Sequence, residues 1–128
     1  KIAGLAHDFP VTRRLHERAT YDWVFKHTEY RHHDNCFMVL ASRGKSEQGR
    51  LGVIVGKRNI NKAVCRNRFK RITREAFRKT SNHYLDIIVL AKSQGDSLSK
   101  QDLCGRLTLA FNKLIQKSED KRDQALRD

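Results

Sequence analysis

Apolar positions along the chain switch between helical spacing and strand-like runs, and that order lays out the elements. From about Arg18 to Lys26, Tyr21, Val24 and Phe25 recur at helical spacing, with Ala19 and Trp23 on an adjoining side, which predicts a short first helix. Thr28 to Asn35 is polar and reads as a surface segment. Cys36 to Ala41 (CFMVLA) and Arg50 to Val55 (RLGVIV) are strand-sized runs separated by Ser42 to Gly49, whose turn composition suggests an antiparallel hairpin. In the second run Leu51, Val53 and Val55 share one face. Gly52, Ile54 and Gly56 share the other, which is low and open to close approach by a helix or a ligand, so a groove is expected there.

The next stretch, Lys57 to Lys79 (KRNINKAVCRNRFKRITREAFRK), predicts a helix in which Cys65, Phe69, Ile72 and Ala76 fall on one narrow stripe. Arg66, Asn67, Lys70, Arg71, Arg74 and Arg78 fill the opposite arc, with Arg68 and Glu75 on the flank. Asn61 stands where an N-cap is expected. After a turn-like Thr80 to His83, the continuous run Asp86 to Ala91 (DIIVLA) predicts a central strand buried on both faces and anchoring the sheet. Ser97 to Ser99 offer caps for a last helix with Leu103, Leu107, Ala110, Phe111, Leu114 and Ile115 inward. Residues 1–116 are thus expected to form a single domain, and Lys117 to Asp128, with almost no apolar content, a charged disordered tail. The fold class expected is α/β of the α+β sandwich type, a mixed sheet of about four strands packed with helices in the order α-β-β-(β)-α-β-α.

Charge changes this picture most in one place. Lys57 to Lys79 packs ten Lys or Arg residues against the single acid Glu75, and so carries +9 of the chain's +13. An exposed helix that needs only solvation mixes Lys with Glu at four-residue spacing. Here cations share one arc almost without counter-ions, a self-repelling arrangement that a polyanion relieves. Membrane-surface helices present a broad Trp, Phe and Leu face, whereas this stripe is narrow and the core consumes it, so nucleic acid is the expected partner and a membrane is not.

Three widely spaced cysteines, Cys36, Cys65 and Cys104, in apolar patterns suggest reduced structural thiols and a cytoplasmic protein. No apolar run approaches the roughly 20 residues of a membrane span. Adjacent His32, His33 and Asp34 have no matching ligand set elsewhere, so no metal site is expected. A phosphate loop, a nucleophile elbow and paired carboxylates are all missing from the sequence. Acids are too scarce around the basic helix to hold the metals of a two-metal nuclease.

Arg66-Asn67-Arg68, inside KAVCRNRFKRITREAFR, closely resembles the signature of the bacterial ribonuclease P protein subunit. The resemblance continues in RLGVIVGKRN upstream, in FPVTRRL and TYDWVF near the start, and in DIIVLAK, covering Phe9 to Lys92 in order. Tyr21 stands where Phe is frequent, and Gly56-Lys57-Arg58 replaces a more usual small residue and two lysines. The resemblance implies a left-handed βαβ crossover through the basic helix. It also implies a non-catalytic polypeptide that assists a catalytic RNA, which uses Mg²⁺ held mainly by that RNA to remove the 5′ leader of precursor tRNA. The implied partners are the ribonuclease P catalytic RNA and precursor tRNA, with no obligate protein partner. Carried over residue by residue, catalytic-RNA binding falls on Lys57, Arg58, Lys62, Arg66, Asn67, Arg68, Lys70, Arg71 and Arg74. Leader binding falls on Tyr21, Phe25 and Phe37, whose rings would stack unpaired bases. For Tyr21 and Phe25 a core position stands beside that reading, and a ribosomal or other structural RNA-binding protein stands beside the whole assignment.

Overall fold

The computed structural model describes residues 14–15, 18–44, 49–80 and 83–127. The opening FPVTR stretch, up to Arg13, and the loop centred on residues 45–48 therefore lie outside the described residues. Seven elements follow in order: α1 (Arg18–Lys26), β1 (Tyr30–His33), β2 (Phe37–Arg43), β3 (Arg50–Ile54), α2 (Ala63–Arg78), β4 (Leu85–Ala91) and α3 (Lys100–Arg127). The strands form one mixed sheet in the order β1-β2-β4-β3.

The run of Ile87, Ile88 and Val89 makes β4 a central strand because side chains on both of its faces are buried, as its unbroken apolar character requires. It pairs antiparallel with β2, from Phe37 opposite Ala91 to Arg43 opposite Leu85, and parallel with β3, from Arg50 opposite Asp86 to Ile54 opposite Leu90. The expected β2–β3 hairpin is therefore not formed. The ends of the intervening segment show why. Gly44 N–H donates to Tyr84 O at 3.1 Å and Gly49 N–H to His83 O at 2.8 Å, so the connection straddles the entry of β4 instead of closing a tight turn. β1, in the polar segment read as surface, is an edge strand antiparallel to β2, and its residues alternate between half-buried and exposed.

The sheet separates two cores. On one face Phe37, Val39, Ala41, Leu51, Leu85, Ile87 and Val89 meet Phe69, Ile72, Ala76 and Phe77 of α2 and the apolar stripe of α3. Each Val, Leu, Ile or Phe among them contributes about 1.5 to 3 kcal/mol relative to leaving it in water. On the other face Val24 of α1 packs with Leu15 and Ile88, flanked by Tyr21, Trp23, Ile54 and Leu90. The buried side of α2 is wider than its sequence stripe because the helix touches both the sheet and α3. Phe77 meets Phe111 edge-on, with centroids 5.7 Å apart, and buried Thr73 satisfies its hydroxyl by donating to Phe69 O at 2.8 Å.

Two further expectations are corrected. The N-cap of α2 is Lys62, in extended backbone and without a side-chain cap bond, not Asn61. The tail is helical, since α3 runs on to Arg127 with Gln116 Nε2 donating to Asp120 Oδ1 at 2.9 Å. Its Lys, Glu, Gln, Ala and Arg content withholds core packing but retains high helix propensity. The capping of the last helix is as read: Ser99 Oγ accepts from Asp102 N–H at 3.1 Å.

Candidate nucleic-acid interface

Burying Phe69, Ile72, Thr73, Ala76 and Phe77 turns the remaining arc of α2 outward. Asn67, Arg71 and Arg78 are exposed, while Arg66, Arg68, Lys70 and Arg74 are half-buried. Lys57, Arg58 and Lys62, on the turn that enters α2, are also exposed. The positive end of the helix dipole adds to their field.

The entry turn is held in place by hydrogen bonds. Arg66 Nη1 donates to Ile60 O at 3.0 Å and to Asn61 O at 2.8 Å, tying the first turn of the helix to the loop before it. Asn59 Nδ2 donates to Ala91 O at 2.9 Å, and Ile60 is buried beneath, so the Lys57-Arg58 corner is fastened to the end of β4. Arg68 Nη2 reaches Leu98 O at 3.3 Å and so couples α2 to the segment before α3. Both arginines of the Arg-Asn-Arg motif thus brace backbone with part of a five-donor guanidinium. Sequence reading assigned them to RNA alone. The structural share left no mark in the pattern, because the carbonyls they meet belong to no particular residue type.

On the other face of the sheet, Tyr21 lies directly over Gly52. A Cβ built at Gly52 would stand 2.6 Å from the phenol ring, so only glycine admits this approach, and the low strip expected from the sequence is filled by α1. Burial raises the pKa of the Tyr21 hydroxyl, opposed by a hydrogen bond from the Val53 backbone and by the charge of Arg74. Arg74 is in turn lowered, first by burial and then by Arg14, with Tyr21 acting in the opposite direction. Arg74 therefore joins the basic arc of α2 to the aromatic flank of α1. Arg14, absent from the sequence-derived set, sits there because the chain around it bridges the edge of β3 at Leu51, with Leu15 N–H donating to Leu51 O at 2.8 Å.

Of the three aromatics assigned to the leader, Phe25 is 40% exposed, Tyr21 is half-buried against Gly52, and Phe37 is 0% exposed in the core. Phe37 has no face to offer a base and leaves the set. Its position on β2 points it toward α2 and α3, away from the α1 side. On the opposite flank of α1, Trp23 and His27 stack with centroids 3.6 Å apart.

Fold and charge layout together define a polyanion-binding α/β domain built on a β3–α2–β4 crossover. Comparison with known proteins gives the family. The Ribonuclease P family model matches residues 9–115. Among curated relatives, the ribonuclease P protein component of Aliivibrio salmonicida is 40% identical over 114 residues, covering 87% of this chain and 89% of that protein. The one from Acinetobacter baylyi is 37% identical over 110 residues and 84% of each chain. A solved mutant of the Staphylococcus aureus RNase P protein, described as defective in mRNA degradation, superposes with a TM-score of 0.73 at 25% identity, over 80% of this chain and 88% of that one. The chain belongs to the ribonuclease P protein family.

Proposed function

We propose that the chain acts as the protein subunit of the ribonuclease P endoribonuclease, in which α2 and its entry turn bind the catalytic RNA while the Tyr21–Phe25 flank of α1 receives the single-stranded leader of precursor tRNA. Membership of the family supports the subunit role in tRNA processing and disfavours a ribosomal protein. The observation that carries the division of labour is the separation of the two surfaces. Cations fill the outward arc of α2, whose sequence holds a single acid, Glu75, and exposed aromatic area lies across the edge of the sheet, bridged by Arg74. Guanidinium forks suit phosphates and aromatic faces suit unpaired bases.

Bond cleavage is assigned to the RNA with Mg²⁺. Among the described residues no three His, Cys, Asp or Glu side chains gather as a metal site. Glu75, the one acid of α2, is approached by Lys79 at 3.8 Å and Lys100 at 3.6 Å. In this reading the polypeptide's part is to bind and orient. No helix among the described residues is long and apolar enough to cross a membrane.

The test is to incubate the protein with a bacterial ribonuclease P RNA and precursor tRNA at low Mg²⁺. Stimulated release of the leader is expected, and absence of stimulation would reject the role.

A further inference from the structure

A second strongly cationic surface lies at the opposite edge of the sheet from β3. Arg106, Lys113 and Lys117 of α3 are exposed and share one helical face, since their separations of seven and four residues bring them back to nearly the same angle. At 1.5 Å per residue the row is about 16 Å long. No acid occurs on α3 between Asp102 and Glu119, so no acid stands one turn from Lys113, and Lys113 and Lys117 repel each other at one-turn spacing, with Asp120, three residues beyond Lys117, the first acid on the helix at such a spacing.

The strand beneath adds to the charge. His32 of β1 lies close enough to both lysines to feel them. Burial lowers its pKa most, Lys113, Lys117 and His33 lower it further, and only Asp34 raises it. Its ring is also stacked near Phe37, with centroids 6.4 Å apart. Asp34 is already engaged, with Arg106 Nη1 at 3.4 Å from its carboxylate and Lys92 Nζ donating to its backbone O at 2.7 Å. Among the described residues, the charges that act most on His32 are thus two lysines, a second histidine and that paired aspartate.

We infer that Arg106, Lys113 and Lys117, with His32 at their base, form a second phosphate-binding ridge that holds an RNA backbone at the β1 edge. The reading rests on the chain's being an RNA-binding subunit, and extends it from one cationic surface to two. With strands about 4.8 Å apart, the β1 edge lies roughly 14 Å from β3, the strand that leads into the entry turn of α2, so the ridge is set apart from that turn. The segment held by the ridge belongs either to the catalytic RNA or to precursor tRNA, which share phosphate chemistry.

The experiment compares wild type, the double variant Lys113→Gln/Lys117→Gln, and a control double variant Lys26→Gln/Lys100→Gln that removes the same charge from exposed sites elsewhere. Affinity for the catalytic RNA, and affinity of the assembled particle for precursor tRNA, are measured against salt, with a thermal melt to verify folding. The ridge variant should fold as wild type and lose about 1.5 to 2 units of log–log salt slope toward one of the two RNAs, and that RNA identifies the source. Wild-type slopes toward both RNAs, or an equal loss in the control, would overturn the ridge. Failure of wild type itself to bind the catalytic RNA would instead overturn the underlying subunit reading. His32 gives a second readout. Neighbouring phosphate favours imidazolium, so wild-type affinity should rise as pH falls from about 7.5 to 5.5, across the usual histidine range. His32→Gln should flatten that rise, and an undiminished rise would remove His32 from the ridge.

Discussion

Helices α1 and α2 lie on opposite faces of the same sheet and relate to it in opposite ways. α2 buries five residues, including Phe69 and Phe77, and braces its entry turn through Arg66 and Asn59. Its functional groups are long cations that project from a rigid base. α1 fully buries only Val24, and of the groups that would act, Tyr21 also belongs to the apolar set that holds the helix down while Phe25 lies outside it. On α2, packing and binding use different residue types, so changes to each can be separated. On α1 they compete for the ring of Tyr21.

The largest expected effect marks the boundary of that comparison. Phe37→Ala should lower folding stability by about 3 to 5 kcal/mol, because it empties a fully buried position in the core shared by α2 and α3. Chemical denaturation would measure it, and RNA and precursor binding should fail together. A variant with near-wild-type stability would return Phe37 to the leader surface. Asp86→Ala comes next. Its carboxylate is 0% exposed and accepts Arg50 Nε at 3.1 Å and Nη2 at 2.8 Å, so its loss leaves a guanidinium without its partner carboxylate at a cost of about 3 kcal/mol or more. Denaturation midpoints should fall while the salt slope of RNA binding stays unchanged.

Smaller effects sharpen the contrast on α2. Arg66→Ala should weaken assembly with the catalytic RNA by about 1 to 3 kcal/mol, from a lost phosphate contact and a loosened entry turn. Arg66→Lys keeps the charge, but one ammonium replaces a guanidinium whose Nη1 alone bridges Ile60 O and Asn61 O and whose other nitrogens can meet phosphate, so it should recover the salt slope without the full affinity. Full recovery of both would show that the brace has no role in binding. Arg71→Ala, which removes an exposed cation with no bracing bond, should cost less than Arg66→Ala. The expected signature is a salt slope lower by about one unit, read from titrations at several ionic strengths.

The same contrast explains how much of the fold and site is legible in the sequence. The cationic arc of α2 could be read because charge stays outside whatever the helix packs against. The double burial of β4 could be read because an unbroken Ile-Ile-Val run has few other uses. The β2–β3 pairing was misread because Ser42 to Gly49 has the same turn chemistry whether the strands adjoin or flank a third, and only the bonds to His83 and Tyr84 decide. Tyr30 to His33 was passed over as a strand because an edge strand with one half-covered face does not need an apolar alternation. Phe37 was placed wrongly for a reason specific to aromatics. Core packing and base stacking ask for the same ring, and the facing direction on β2 is set by register, which the sequence of one strand does not contain. Arg14 was missed because its role comes from a single bridge to Leu51 across the sheet edge.

The claim that the two surfaces act separately is tested most directly by Phe25→Ala, with thermal unfolding measured beside the affinity of the assembled particle for precursor tRNA with its leader and for mature tRNA without one. At 40% exposure the ring contributes little to the core, and stacking on one base is worth about 1 to 3 kcal/mol. The account predicts a nearly unchanged melting temperature, unchanged assembly with the catalytic RNA and unchanged mature tRNA affinity, with precursor affinity down several-fold or more. A large drop in melting temperature with uniform loss of all three binding activities would contradict it.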